Sequence, residues 1–144
     1  EAFNKSKENL VIIGSGSQEN YLKKIASNNI KFIEYSNSSV VYKYVSKAKA
    51  FIHAGIEDFG IAPVEAQACG TPVIGIKKGG LKETIIEDKT GVFFEKQEAK
   101  AILNALDRFK YIQFDPVEIR KNALAFSSST FETKINNFVN SKIK

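Results

Sequence analysis

The chain has 144 residues, of which 43% are hydrophobic, and its 21 basic and 16 acidic side chains give a net charge of +5. This size predicts one domain over residues 1–144, and the single cysteine and the lack of an apolar run near ~18 residues argue for a cytoplasmic protein without membrane spans or disulfides. The dispersed lysines argue against a nucleic-acid partner, but Lys142 and Lys144 leave weak peripheral membrane contact open.

The first predicted strand, Leu10–Ile13, is a short apolar run that ends in the loop Gly14-Ser15-Gly16. Such a run is typical of a buried parallel strand followed by a tight turn, with Ser17 as the cap of the next helix. The glycines would let a ligand phosphate approach the backbone, although a plain strand-to-helix turn explains them equally well. The third glycine of a dinucleotide fingerprint is absent, which argues against an NAD enzyme.

The second predicted strand, Ile30–Tyr35, precedes a helix that Ser38 or Ser39 could cap. Tyr35 and Ser36 therefore fall at the carboxyl end of a strand, which is where open α/β sheets bind their ligands. We expect these two residues to lie at the border of a ligand site.

A third strand, Ala50–Ile52, precedes the central stretch Glu57–Gly75, which reads EDFGIAPVEAQACGTPVIG. Pro63 suits the first position of a helix because its missing N–H costs nothing there, so the helix is predicted to begin near Ala62. Gly70 is predicted to end this helix in the left-handed conformation that favours glycine.

The start of this helix is predicted to bind an anion. The N–H groups of Gly60 and Ile61 point to the positive end of the helix dipole. Glu57 precedes the helix and Glu65 lies in its first turns, so both carboxylates can accept hydrogen bonds from sugar hydroxyls beside the anion. The plainer alternative is a capped helix with two solvated acids. His53, at the end of the third strand, is more typical of a structural histidine than of a ligand contact.

The remaining elements continue the alternation of strand and helix. Val73–Ile76 is predicted as a buried strand, and the loop KKGG at residues 77–80 would let backbone amides face a ligand, with Lys78 either pairing with a phosphate or solvated. Leu81–Asp88 is predicted as a helix and Val92–Phe94 as the last strand.

Helices alone are predicted after this strand. Asp115 and Pro116 are typical of a cap and first helical position. A later helix, starting near Ser129, carries an apolar stripe that includes Phe131 and Phe138, and such a stripe is typical of a face packed on a core.

The spacing Glu57-x7-Glu65, with Phe59-Gly60-Ile61 between the two carboxylates, resembles the signature of retaining GT-B glycosyltransferases of family 4. The wording EDFGIxPVEAQACGTPVI is most similar to that of the mannosyltransferases of bacterial polysaccharide and O-antigen synthesis. The resemblance covers nearly the whole chain, because the Gly14–Gly16 loop, the KKGG loop and a Thr90-Gly91-Val92 turn fall in the expected order.

The resemblance implies a Rossmann-like α/β fold, a parallel sheet with helices on both faces, and the carboxyl-terminal, donor-binding half of the enzyme. The segment Glu1-Ala2-Phe3 reads as the tail of a helix, so we expect the chain to be a fragment. The family topology would place one more strand, encoded before Glu1, between the strands at Leu10 and Ala50. It would also leave part of the final helix's stripe exposed, for contact with the amino-terminal domain.

The resemblance further implies a nucleotide-sugar donor, with GDP-mannose favoured over a UDP-sugar, and no cofactor or metal. Glu65 would hold the ribose hydroxyls, and Glu57, as the catalytic residue, would hold the transferred hexose together with the Phe59–Ile61 backbone. The Gly14–Gly16 loop would border the diphosphate, and the loop with Tyr35 would border the base.

Glu34 stands where the family has a glycine. A glycan or lipid-linked acceptor would bind the missing amino-terminal domain, at the cytoplasmic face of the membrane or in the cytoplasm.

Two other classes of function stay open from the sequence. A nucleotide- or sugar-binding module without chemistry would keep Glu65 and the glycine loops but would have no need for Glu57. A different α/β enzyme, such as a sugar-nucleotide epimerase, would make the Glu57-x7-Glu65 spacing a coincidence.

Overall fold

The computed structural model describes residues 1–34 and 37–143 of the chain. Strands and helices alternate over most of this length before the chain closes with helices alone. In chain order, the elements are α1 (Ala2–Lys5), β1 (Leu10–Ile13), α2 (Glu19–Ile25), β2 (Ile30–Ile33), α3 (Ser38–Val45), β3 (Phe51–His53), α4 (Ile61–Ala68), β4 (Val73–Ile76), α5 (Leu81–Thr84), β5 (Gly91–Phe94), α6 (Ala99–Phe109), α7 (Pro116–Leu124) and α8 (Ser128–Lys142). None of the helices in the described ranges combines the length and the apolarity needed to cross a bilayer.

All the strand pairs are parallel, which confirms the predicted α/β class. β1 pairs with β2, so that Leu10 lies opposite Ile30. β4 pairs with β3 on one side and with β5 on the other, so that Val73 lies between Phe51 and Gly91. Helices connect and flank these strands, as parallel pairing requires a crossover between neighbours.

The five strands form two separate sheets, one ordered β1-β2 and the other β3-β4-β5. Strands β1 and β3 border a cavity of about 440 Å³ whose lining includes Val11, Ile13, Phe51 and Ile52 and also residues of α1 and α2. The predicted gap between these two strands is therefore present. The identity of the segment that fills it stays a prediction.

The hydrophobic core lies on the three-stranded sheet. Every residue of β4 and β5 is buried, as expected for a parallel strand that is covered on both faces. Ala66 of α4, Leu81 of α5 and Ala105 of α6 pack into the same cluster. Strands β1 and β2, in contrast, are half-buried and expose their second residue.

Several predicted boundaries are wrong by a few residues. Gln18, not Ser17, precedes α2, and no side chain caps that helix. Asn37 caps α3 in place of Ser38 or Ser39, because its extended backbone lets the side-chain oxygen accept from the Val40 N–H at 3.1 Å.

Helix α5 stops at Thr84 instead of Asp88, and β3 runs one residue further than predicted, to His53. Asp88 takes a positive φ of 63°, which belongs to the turn before β5 and not to a helix. The predicted cap of α7 is confirmed, since Asp115 accepts from the Val117 N–H and Pro116 is the first helical residue.

The apolar stripe of α8 is exposed. The prediction that it packs on a core is wrong for the described residues, and the expectation that part of the stripe stays exposed is confirmed. Phe131 and Phe138 are 65% and 60% exposed, and no residue of α8 is buried. The stripe has the period of a packed helix, but the elements described here place no surface against it.

A buried polar network holds α4, α5 and α7 together. The Gln67 side chain is inaccessible to solvent and donates to the Thr84 carbonyl oxygen at 2.9 Å. Asn122 of α7 donates both to the Gln67 side-chain oxygen, at 2.7 Å, and to the same Thr84 carbonyl, at 2.8 Å. A satisfied network of this kind fixes the packing of α4, the helix of the central sequence motif.

Candidate functional site

The loops that follow β3, β4 and β5 meet at one edge of the three-stranded sheet. The Gly80 N–H, after β4, donates to the Glu57 carbonyl oxygen at 2.9 Å. The Gln97 side chain, after β5, donates to the Ala54 carbonyl oxygen at 2.7 Å. Because parallel strands end at the same edge, this is the position at which α/β sheets bind ligands.

The two glycines of the KKGG loop serve the contact with the Glu57 loop. A Cβ at Gly79 would collide with the Glu57 carbonyl oxygen, and a Cβ at Gly80 would collide with the backbone of Asp58 and Phe59. The interpretation that both amides face a ligand is therefore wrong for Gly80, whose N–H is used within the protein. The glycines instead allow one loop to lie directly against the other.

Helix α4 begins at Ile61, one residue before the predicted start, and Pro63 occupies its third position instead of its first. Gly60 precedes the helix with a φ of 86°, a conformation that favours glycine. A Cβ at Gly60 would also come within 2.9 Å of the Leu81 side chain. The N–H groups of Ile61 and Ala62 belong to the first turn, where an α-helix offers no acceptor and the dipole is positive. Anion binding by the N–H groups of Gly60 and Ile61 stays a prediction.

Glu65 is held by a tyrosine that the sequence did not single out. The Tyr42 hydroxyl donates to the Glu65 carboxylate at 3.1 Å, joining α3 to α4. The Thr71 hydroxyl makes a second link by donating to the Val45 carbonyl oxygen at 2.8 Å. Tyr42 and Glu65 are separated by 23 residues and lie in different elements, so no local spacing signals their contact.

Glu57 lies on the loop before α4, and its side chain is half exposed. The Glu57 Oε1 is 3.5 Å from the Nε2 of His53, whose side chain is only 13% exposed. The Glu57 backbone is fixed by the hydrogen bond from Gly80, so its carboxylate reaches into solvent from an anchored loop.

The Gly14–Gly16 loop follows β1 and is open on its outer side. The Gly14 N–H donates to the Ile33 carbonyl oxygen at 3.0 Å, and the Gly16 carbonyl accepts from the Glu19 N–H at 3.0 Å. A Cβ at Gly14 or at Gly16 would meet no atom within 4 Å, so there is space for a ligand beside this loop. Ser15 between them is exposed. Tyr35 and Ser36 lie outside the described residues.

The side chains of Phe59 and Ile61 differ in their surroundings. The Phe59 ring packs edge-on against Phe126, with 5.7 Å between ring centroids, which holds the loop to the region between α7 and α8. Ile61 is 66% exposed.

Two neighbouring lysines on the loop after β4 behave differently. Lys77 pairs with Glu87 at 3.0 Å, and this hydrogen bond raises the pKa of the lysine. Hydrogen bonds from Arg108 and then from Lys77 lower the pKa of the Glu87 carboxyl. Lys78 is exposed and makes no ion pair with any of the residues described, so its ammonium is available to an anion.

The arrangement suits a ligand that carries both an anionic group and hydroxyls. The amides at the start of α4 and the Lys78 ammonium are donors for an anion, and the carboxylates of Glu57 and Glu65 are acceptors for hydroxyls. Across residues 1–34 and 37–143, no three side chains among His, Cys, Asp and Glu come together as a group for a metal ion.

Comparison with known proteins agrees with this chemistry. The family described as Glycosyl transferases group 1 matches residues 1–125 of the chain. An uncharacterized glycosyltransferase of Methanocaldococcus jannaschii is 30% identical over an alignment of 105 residues, and the match covers 69% of this chain and 27% of the relative. The GDP-mannose-dependent monoacylated alpha-(1-6)-phosphatidylinositol monomannoside mannosyltransferase of Corynebacterium glutamicum is 33% identical over an alignment of 108 residues, and the match covers 67% of this chain and 28% of the relative.

Among solved structures, the fold is similar to that of the Anabaena protein HepE in complex with UDP-glucose. The TM-score is 0.71 at 21% identity, and the match covers 97% of this chain and 43% of HepE. Such a likeness shows a shared fold. The chain spans little more than a quarter of the length of the two curated relatives.

Proposed function

Since the chain belongs to the group 1 glycosyl transferases, we propose that it is the donor-binding domain of a retaining, family 4 enzyme with the GT-B fold. The observation that carries this proposal is the single unit formed by the Glu57 loop, the start of α4 and Glu65, at the sheet edge where three loops meet. The unit offers anion donors and hydroxyl acceptors side by side, which is the chemistry of a nucleotide-sugar.

In this proposal the donor spans the two sheets. Glu65 accepts from the ribose hydroxyls, and Glu57 and the Phe59–Ile61 backbone hold the transferred hexose. The Gly14–Gly16 loop borders the diphosphate, and Lys78 supports its charge. We expect the loop that carries Tyr35 and Ser36 to border the base.

The proposed reaction breaks the bond between the anomeric carbon of the hexose and the diphosphate oxygen. The electron pair leaves on the diphosphate, the acceptor hydroxyl forms the new glycosidic bond, and its proton passes to the released diphosphate or to water. Catalysis is mainly electrostatic stabilisation of the departing diphosphate, to which the Lys78 ammonium contributes, with Glu57 positioning the hexose.

We favour GDP-mannose as the donor. Its support is the motif wording and the relative whose name gives GDP-mannose as its donor. The alternative is a UDP-sugar, which HepE, with the same fold, binds as UDP-glucose.

The proposed acceptor is a growing cell-surface glycan or a lipid-linked sugar. It would bind an amino-terminal domain at the cytoplasmic face of the membrane. Calorimetric titration with GDP, UDP and ADP distinguishes the donors, and a protein that binds none of the three contradicts the proposal.

The role of Glu65 is tested by Glu65→Ala. Loss of a carboxylate that accepts from two ribose hydroxyls should weaken GDP binding roughly tenfold to a hundredfold, with base and phosphate contacts unchanged. Glu118→Ala is the matched control, because Glu118 is an exposed carboxylate in the first turn of α7. Equal GDP affinity for wild type and Glu65→Ala, measured in the two-domain enzyme, rules out the ribose assignment.

The role of Glu57 separates an enzyme from a binding module. A contact to the hexose that matters in the transition state should appear in turnover, so Glu57→Gln is expected to lower kcat by on the order of 10² while GDP binds within a few fold. Unchanged transfer, or loss of GDP binding as severe as in Glu65→Ala, favours the module without chemistry.

A further inference from the structure

The imidazole of His53 lies next to the carboxylate of Glu57. His53 is the single histidine of the sequence and the last residue of β3, and its side chain is largely buried. Its Nε2 is inaccessible to solvent and receives no hydrogen bond from the described residues. The nearest carboxylate oxygen, Glu57 Oε1, is 3.5 Å away, slightly beyond hydrogen-bond length.

The surrounding loop leaves room for this pair. Gly55 lies beside both groups, and a Cβ at this position would come within 3.2 Å of the His53 Nε2 and 4.0 Å of the Glu57 Oε1. The loop backbone is held on both sides of Gly55, at Ala54 by Gln97 and at Glu57 by Gly80. The backbone is therefore fixed, and rotation of the Glu57 side chain is the freedom that remains.

We propose that His53 is the positioning residue of Glu57. Its Nε2–H donates to the Glu57 carboxylate and fixes the rotamer in which the other oxygen meets a hydroxyl of the transferred hexose. A buried ring nitrogen that lacks a partner is costly, so a movement of a few tenths of an ångström that closes this contact is favourable. The role in transfer rests on the proposed function of Glu57, whereas the contact itself does not.

The contact can be tested on this chain alone, because a single histidine gives a single imidazole signal. Long-range proton–nitrogen correlation spectra of the labelled chain report the tautomer and the hydrogen bond of each ring nitrogen. Glu57→Ala should shift the Nε2 resonance and change the tautomer populations. Asp58→Ala, which removes the neighbouring carboxylate, should leave both unchanged. An Nε2 signal that is the same in wild type and Glu57→Ala overturns the proposal.

The role in transfer is tested by two amides of different length. Gln at position 53 can place its side-chain nitrogen near the position of Nε2, whereas Asn cannot reach it. In the two-domain enzyme, His53→Asn should lower kcat about tenfold with the donor KM within about twofold, and His53→Gln should retain kcat within about threefold. In a Glu57→Ala background, His53→Asn should have no further effect, since the group it positions is gone.

Two results overturn the positioning role: equal losses in His53→Gln and His53→Asn, or wild-type turnover in His53→Asn. A wild-type enzyme that transfers no hexose overturns instead the proposed function, and the imidazole spectrum still decides whether His53 and Glu57 form a contact. The two failures are thus distinguishable.

Discussion

The three-stranded sheet and the two-stranded sheet of this chain differ in how much of each is buried. Strands β4 and β5 are buried at every position, and α4, α5 and α6 cover them. Strands β1 and β2 expose their second residue, and α2 and α3 contribute no buried residue. The cavity beside β1 and β3 separates the two regions.

This difference divides the candidate site. The buried, three-stranded sheet carries the Glu57 loop, Lys78 and the start of α4. The hydrophobic core therefore supports the geometry of this part of the site. The Gly14–Gly16 loop stands on the half-buried, two-stranded sheet. The helix after that sheet, α3, is linked to the other region by the hydrogen bonds from Tyr42 to Glu65 and from Thr71 to the Val45 carbonyl oxygen. We infer that the part of the site on the three-stranded sheet is preformed and that the Gly14–Gly16 loop is more easily displaced.

The largest expected effect is on the free energy of unfolding, and it is seen by comparing Leu→Ala substitutions in the two regions. Leu81 is inaccessible to solvent in the core, whereas Leu22 of α2 is 40% exposed. Leu81→Ala should lower the free energy of unfolding by about 3–5 kcal/mol, through lost burial and the cavity left behind, and Leu22→Ala by about 1 kcal/mol or less. Urea denaturation followed by circular dichroism measures both. Equal losses would mean that the two regions do not differ in packing.

The next largest effect is expected for a Gly→Ala substitution where one loop lies against another, compared with one in open space. A Cβ at Gly80 would collide with the loop of Asp58 and Phe59, whereas a Cβ at Gly16 would meet open space. Gly80→Ala should therefore destabilise the protein by about 1–3 kcal/mol and weaken nucleotide binding, because the Glu57 loop has to move. Gly16→Ala should change the stability by less than about 1 kcal/mol. Thermal unfolding with and without GDP checks this pair, and a harmless Gly80→Ala would contradict the loop contact.

The smallest expected effect concerns a partly exposed ion-pair network beside the three-stranded sheet. Arg108 pairs with Glu87 at 2.8 Å and with Asp88 at 2.5 Å, and Lys77 pairs with Glu87. Because the folded protein lowers the pKa of Glu87, the unfolded chain binds the proton more readily. The contribution of Glu87 is therefore complete above its usual value of 4.5 and is lost as the pH falls through the folded pKa.

Glu87→Gln should accordingly remove at most about 1 kcal/mol near neutral pH, since the pair is partly exposed, and should flatten the decline in stability below pH 4.5. Glu132→Gln on α8 is the control, because Glu132 makes no ion pair within the described residues. Unfolding free energies measured by urea from pH 7 downward provide the test, and an unchanged pH profile in Glu87→Gln would argue against the network.

Local signals in the sequence were sufficient to predict the order and type of the strands and helices around the candidate site. Runs of apolar residues bounded by glycine or polar residues predicted all five strands, because a covered parallel strand must be apolar along its length. Gly70 was predicted to follow α4, and its φ of 80° confirms this. The placement of Glu57 before a helix and of Glu65 within it could also be predicted, because both residues lie in one short segment of the chain.

Only the tertiary structure decided which distant groups meet. Tyr42 reaches Glu65 across 23 residues, and Asn122 reaches Gln67 across 55, because different elements pack side by side and no sequence period encodes that packing. The requirement for glycine at positions 79 and 80 could not be predicted either, since the atoms that a Cβ would contact belong to another loop. The sequence determined which residues are available at the sheet edge, and the packing of helices and loops determined how Glu57, Glu65 and Lys78 are held there.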